Sequence, residues 1–144
     1  MLHIIRDLGD DLTRLIKDDP VRPEIPLEQR INSNSEIFVL KSEDDTPLAV
    51  TCVKFLESVP TEVEDLTNTA VNTTTAVFYT IWSYAAGAGR RLIEEAQAEI
   101  KKTHPEVKTY VTLSPKTEMA ERFHLKNGAE KWRVNERSVN YLYR

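Results

Sequence analysis

One cysteine, four glycines and a deficit of basic side chains mark the scarce end of this 144-residue composition. The lone Cys52 excludes an intrachain disulfide and leaves too few thiolates for a structural zinc site, so no metal is expected. It lies in the apolar run "PLAVTCVKFL", which reads as the place of a buried, inert thiol rather than a nucleophile. Lys and Arg number 19 against 23 Asp and Glu, and the net charge of −4 argues against nucleic acid as the main partner. No apolar stretch approaches the roughly 18 residues that span a membrane. The opening "MLHIIRDLGDD" is too acidic for a secretory signal. The expectation is a cytoplasmic, reduced chain that engages no membrane.

What is present suits a packed domain. Hydrophobic residues make up 40% and charged residues 29%, ordinary values for a globular chain. The length fits one domain over residues 1–144. Leu8, Leu12, Leu15 and Ile16 stand at helical spacing, which predicts a helix within residues 1–19 that Pro20 closes. "DDPVRPEIP" reads as an extended connector, and Pro26 opens a short helix. "EIFVLK" and "PLAVTCVKFL" read as an antiparallel hairpin turned by "SEDDT". Thr61 and Glu64 fit a capping box. "TAVFYTIW" is the most apolar strand. After "SYAAGAG" comes a helix with Leu92, Ile93, Ala96 and Ile100 on one face. "VKTYVTLS" is a further strand, with Ser114 before Pro115 read as the cap of the next helix, "KTEMAERFHLKN", which Gly128 stops. Two short strands, "EKWRV" and "SVNYLYR", end the chain. The order predicts a mixed α/β architecture.

Three features carry possible chemistry. A strand, a small-residue turn and a helix start meet at Ser83, Tyr84, Ala85, Ala86, Gly87, Ala88, Gly89 and Arg90. Glycines permit close backbone approach, and a helix N-terminus offers free N–H groups, which together suit a pyrophosphate. The same glycines equally suit close helix packing. Thr112 sits mid-strand, where threonine is common by propensity alone. His124 lies near a helix C-terminus, where a protonated ring is stabilised by the dipole, so a purely structural role stands beside a chemical one.

Element order and motifs resemble the GNAT acyltransferase superfamily: a strand, a glycine loop, a helix, a strand, then a helix ending in glycine. Tyr84 stands where that superfamily's loop has Gln or Arg, and His124 stands where it often has a tyrosine acid. "AVFYTI", "LIEE", "VKTYVTLSP", "RFHLKNGA", "RVN" and "VNYLYR" resemble, in the same order, the catalytic domain of malonyl-CoA decarboxylase, itself a GNAT relative. The chain departs from that pattern in a shorter glycine loop without its Gln and in "SPKTEM" where the family has "SPIPGF". The segment before the histidine and the large helical N-terminal domain are missing, as in a trimmed relative.

The resemblance implies a GNAT-like sheet whose central parallel strands splay apart, with flanking helices. It implies a coenzyme A thioester as the small-molecule partner, held at residues 83–90. His124 would be the catalytic histidine, and Thr112 its hydroxyl partner at the substrate carboxylate. The expected reaction is conversion of malonyl-CoA to acetyl-CoA and carbon dioxide. The alternatives are a GNAT N-acetyltransferase and a nonenzymatic acyl-CoA binding module. His124 is expected to face Thr112 across the cleft, with Met119, Phe123 and Leu125 forming the buried stripe of its helix.

Overall fold

The computed structural model describes residues 1–144. Seven strands form one sheet: β1 (Leu2–Ile5), β2 (Ser35–Lys41), β3 (Pro47–Leu56), β4 (Thr75–Ser83), β5 (Thr109–Thr112), β6 (Glu130–Val134) and β7 (Val139–Tyr143). Their spatial order is β1-β2-β3-β4-β5-β7-β6. Helix α1 (Ala88–Thr103) crosses from β4 to β5, and α2 (Glu118–Lys126) leads from β5 to β6. The crossover makes β4 and β5 parallel, as a helical connection within one sheet requires; every other pairing is antiparallel. No helix is long and apolar enough to cross a membrane.

The alternating strands bury both sheet faces. α1 lays Leu92, Ile93, Ala96 and Ile100 on one face, against Phe38, Phe55, Phe78 and Tyr110. The opposite face packs Ile37, Cys52, Val77, Tyr79 and Val111 beneath Leu15 and Ile25 of the N-terminal segment. Cys52 is fully buried, and burial pushes its thiol up to about 11, so it stays protonated.

Three local expectations are corrected. Residues 1–19 do not form one helix. Leu2–Ile5 pairs with β2 as an edge strand, and only Asp11–Asp18 coils, as a 3-10 segment capped by Asp10. The unpaired edge of β2 outcompetes a helical stripe that Gly9 interrupts. The turn near residue 61 is held one position later than expected: the Asp65 carboxylate accepts the N–H groups of Thr61 and Glu62. Ser114 does not cap α2. Thr117 does, its hydroxyl accepting from Ala120 N–H at 3.1 Å.

Candidate functional site

β4 and β5 pair only from Thr75↔Thr109 to Phe78↔Thr112. The last rung is Leu113 N–H to the Phe78 carbonyl, at 3.4 Å. β4 then runs on to Ser83, whereas Ser114 turns away to bridge Val139. The strands therefore splay at their C-terminal ends. On its other side β4 carries a bulge: Phe78 faces Val53 and Thr80 faces Cys52, so Tyr79 has no partner in register. Tyr79 is thus registered with neither neighbour, and its main chain stands at the apex of the fork.

A cavity of about 540 Å³ occupies this fork. β4 lines it from Phe78 to Ser83, with Ser114 and Pro115 on the opposite wall. α2 adds Met119, Ala120, Phe123 and His124, and the connector adds Pro20 and Val21. No aspartate or glutamate lines it.

His124 is the one fully covered side chain of α2, 4% exposed, whereas Met119 and Leu125 are exposed. Of the expected stripe only Phe123 packs against the core, and the ring of His124 turns to the sheet in place of Met119 and Leu125. It stacks on Tyr141 with centroids 4.9 Å apart and meets Phe123 edge-on at 5.1 Å. Nδ1 lies 2.7 Å from the Tyr143 hydroxyl, so the ring faces that tyrosine and not Thr112. Burial drops the imidazole to about 4. Desolvation of the charged form is the cause, and it outweighs the favour that the C-terminal end of the helix dipole would give a protonated ring. The ring is neutral at pH 7. The Tyr143 hydroxyl, pushed well above its ordinary range by burial, has no other partner. Donation from Nδ1 would leave the hydroxyl proton of Tyr143 without an acceptor, so the hydroxyl is taken to donate to Nδ1, which puts the imidazole hydrogen on Nε2.

Thr112 is fully buried behind the wall. Its Oγ1 accepts from Tyr141 N–H at 3.1 Å and from the Ser114 hydroxyl at 2.8 Å. Its reach to His124 is indirect, because Tyr141, whose N–H it holds, is also the ring on which the imidazole stacks. Ser114, and not Thr112, lines the cavity, together with Thr80, Ser83 and Thr117. Tyr141, Tyr143 and the place of Ser114 in the cavity wall are not among the residues that sequence alone singles out. The two tyrosines stand two apart in "VNYLYR" and so share a strand face, a signal that was legible.

At the loop, Gly87 is the N-cap of α1 with φ 77°, a left-handed conformation that favours glycine. Gly89 serves packing: a Cβ there would stand 2.6 Å from Phe123 Cζ. Ala88 N–H turns back to the Ala85 carbonyl at 3.3 Å, but the N–H groups of Gly89 and Arg90 find no carbonyl acceptor. Tyr84 accepts from Trp82 Nε1 at 3.0 Å and donates to Asp18 at 2.9 Å, tying the loop to the N-terminal segment beside Ser83. Arg90 pairs with Glu94, and Arg91 with Glu95. Such exposed pairs, worth about 0.2–0.5 kcal/mol, yield readily to a stronger anion.

Below the fork, on the face opposite α1, the connector is fastened by buried charge. Arg30 and Asp19 pair at 2.6 Å with both side chains fully buried. Asp19 also accepts from Thr80 Oγ1 at 2.7 Å and from the N–H groups of Val21 and Arg22. Arg30 donates to the Arg22 and Ile25 carbonyls. This fastening sets Pro20 and Val21 against β4.

The splayed parallel pair, the bulge beside it and the helix start at the glycine loop can be compared with known structures. Malonyl-CoA decarboxylase from Agrobacterium vitis superposes with a TM-score of 0.82 at 20% identity, covering 100% of this chain and 60% of that one. The Rhodopseudomonas palustris malonyl-CoA decarboxylase gives 0.80 at 20%, covering 99% and 59%. The GNAT domain of S. lividans PAT gives 0.65 at 11%, covering 99% and 88%. The chain has the GNAT fold. It spans about three fifths of the decarboxylase chains it matches. No protein-family model and no curated protein matches the sequence. The cavity takes in His124 and the C-terminal half of β4, and the glycine loop follows that strand directly in the chain.

Proposed function

We propose that this GNAT-fold protein is an enzyme that binds an acyl-CoA thioester and releases carbon dioxide from malonyl-CoA. The observation that carries the proposal is the neutral His124, oriented by Tyr143 in the wall of a cavity without a carboxylate. The pyrophosphate rests on the backbone from Ser83 to Arg90, and the pantetheine arm follows β4 to the fork. There the bond between the carboxylate and the methylene breaks, its electron pair passes into the thioester as an enolate, and carbon dioxide leaves. Nε2–H of His124 donates to the enolate oxygen; one such donor in a dry site is commonly worth about 2.7–4 kcal/mol. A proton taken up from solvent adds to the methylene carbon and completes acetyl-CoA. Ser114 lines the wall beside the acyl group with its proton held by Thr112, which also fixes Tyr141.

An N-acetyltransferase working through a side-chain base would want a carboxylate near the fork, and the lining holds none. Tyr79, the one tyrosine of the cavity lining and so the hydroxyl that could serve a leaving thiol, is buried beside Cys52, and burial raises it well above the usual range. The test is a mass assay of the purified chain with malonyl-CoA, with and without amine acceptors. Acetyl-CoA formed without an acceptor supports decarboxylation. Acyl transfer to an amine, or binding with no turnover, defeats it in favour of the transferase or the binding module.

A further inference from the structure

A second cavity, of about 440 Å³, opens at the other end of β5 from the fork, where the start of β5 meets the end of β7 and the last turn of α1. The chain is acidic overall, with a net charge of −4, yet no aspartate or glutamate lines this cavity. Arg144 in its wall is taken by Glu130. The lysine ion pairs of the molecule are those of Lys41 and Lys131, so Lys101 and Lys108 stand in the wall as free cations. Two tyrosines share that wall, in register across β5 and β7 as Tyr110↔Tyr143. The Tyr143 hydroxyl is engaged by His124. Tyr110 is 6% exposed, and its hydroxyl is buried with no partner. The Lys101 ammonium lies over the same ring, 5.8 Å from its centroid. Hydroxyl and ammonium are both donors here, and neither has an acceptor.

Trp132 adds an aromatic surface to the same cavity. β6 bulges at this residue: Lys131 faces Tyr141 and Arg133 faces Asn140, which leaves Trp132 out of register. The indole is 48% exposed, with the Arg133 guanidinium 5.0 Å from its centroid. We infer that this cavity is a second small-molecule site, and that it takes a phosphate monoester joined to a flat aromatic ring, the chemistry of a nucleoside monophosphate. A phosphate monoester carries about −1.5 to −2 charges at pH 7 and three acceptor oxygens, which match two ammonium groups and one hydroxyl. A single carboxylate would leave one cation unanswered. The flat ring stacks on the indole. The volume lies within the about 300–1,000 Å³ of ordinary ligand pockets. The two cavities share no lining residue, so this site stands whether or not the fork takes an acyl-CoA.

The experiment titrates AMP into the full chain and follows the indole N–H signals of its two tryptophans by proton NMR. Trp82 lines the fork and so reports on the other cavity. The Trp132 signal should shift and saturate below roughly 1 mM AMP while Trp82 stays in place. Adenosine and ribose 5-phosphate, the two halves of the probe, should each bind roughly tenfold more weakly or worse. Tyr110→Phe should weaken AMP binding roughly tenfold, the worth of a hydrogen bond to a charged group. It should not lower the melting temperature, because the hydroxyl it deletes has no partner to lose. Lys108→Gln, an exposed change, should also weaken AMP. Coenzyme A and dephospho-coenzyme A, as further arms, separate a free nucleotide from the phosphorylated end of the cofactor, and a Trp132 shift from either source upholds the site. No Trp132 shift with AMP or coenzyme A overturns the inference, as does a shift at Trp82 alone. Adenosine or ribose 5-phosphate binding as tightly as AMP overturns it, and so does an AMP affinity unchanged in Tyr110→Phe.

Discussion

Nδ1 of His124 lies 2.7 Å from the hydroxyl of Tyr143, 19 residues later in the chain. The contact joins α2 to the strand inserted beside β5, and it sets which imidazole nitrogen carries the hydrogen. Tyr143→Phe should leave Nδ1 buried and unsatisfied, costing about 1–3 kcal/mol of stability. Nitrogen NMR of His124 should show the Nε2–H tautomer dominant in wild type and mixed in the variant. A single unchanged tautomer in both would contradict the assignment.

The same ring makes stability depend on pH. The folded imidazole titrates at about 4 and the unfolded one at about 6.5. Between those values the unfolded chain binds more protons, so the contribution of His124 is whole above about pH 6.5 and declines as pH falls towards 4. Its full extent is ~3 kcal/mol by the conversion of one pKa unit to about 1.4 kcal/mol. Denaturant melts of wild type and His124→Gln at pH 7 and pH 4.5 should converge at the acid end. Parallel curves would show that the ring titrates normally.

For turnover, His124→Ala should lower the malonyl-CoA decarboxylation rate by roughly a hundredfold or more, the usual consequence of losing one oriented donor. His124→Gln should fail similarly, since the amide cannot occupy the slot between Tyr141 and Tyr143 in the same orientation. An undiminished rate in either variant refutes the catalytic role.

The two loop glycines should separate ligand binding from packing. Gly87 has open space around it but a left-handed backbone, so Gly87→Ala should cost about 1 kcal/mol and weaken CoA binding more than it weakens the fold. Gly89→Ala drives a methyl into Phe123 and should cost about 1–3 kcal/mol in thermal melts. A Gly87 variant that retains wild-type CoA affinity by calorimetry would move the pyrophosphate elsewhere.

Asp19→Asn removes the partner of a fully buried guanidinium. Breaking such a pair from one side costs about 3–5 kcal/mol, and hydrogen exchange should report loosening of the connector from Pro20 to Ile31. Replacing Arg30 and Asp19 together by apolar residues should recover much of that loss. If the single variant is as stable as wild type, the buried pair does not hold the connector.

Much of this architecture could be read along the chain. The β2–β3 hairpin, the apolar β4 and the amphipathic α1 each carry their own period, and a helical crossover between strands of one sheet dictates parallel pairing. Gly87 and Gly128 were legible as chain-reversal points for the same local reason, since both adopt positive φ. Side-chain direction at the site was not legible. Whether α2 buries Met119 or His124 depends on where β7 enters the sheet, because Tyr141 and Tyr143 supply the face on which the imidazole stacks and bonds. Ser114 exchanged an expected cap for a place in the cavity wall because Val139 captured its backbone. Residues 2–5 became a strand because β2 left an open edge. Arg22 shows the limit most plainly: "DDPVRPEIP" displays an ordinary charged connector, and only the burial of Asp19 against Arg30 leaves that guanidinium short of a partner. Local periodicity determines elements, whereas the partner of each polar group is decided between segments far apart in sequence.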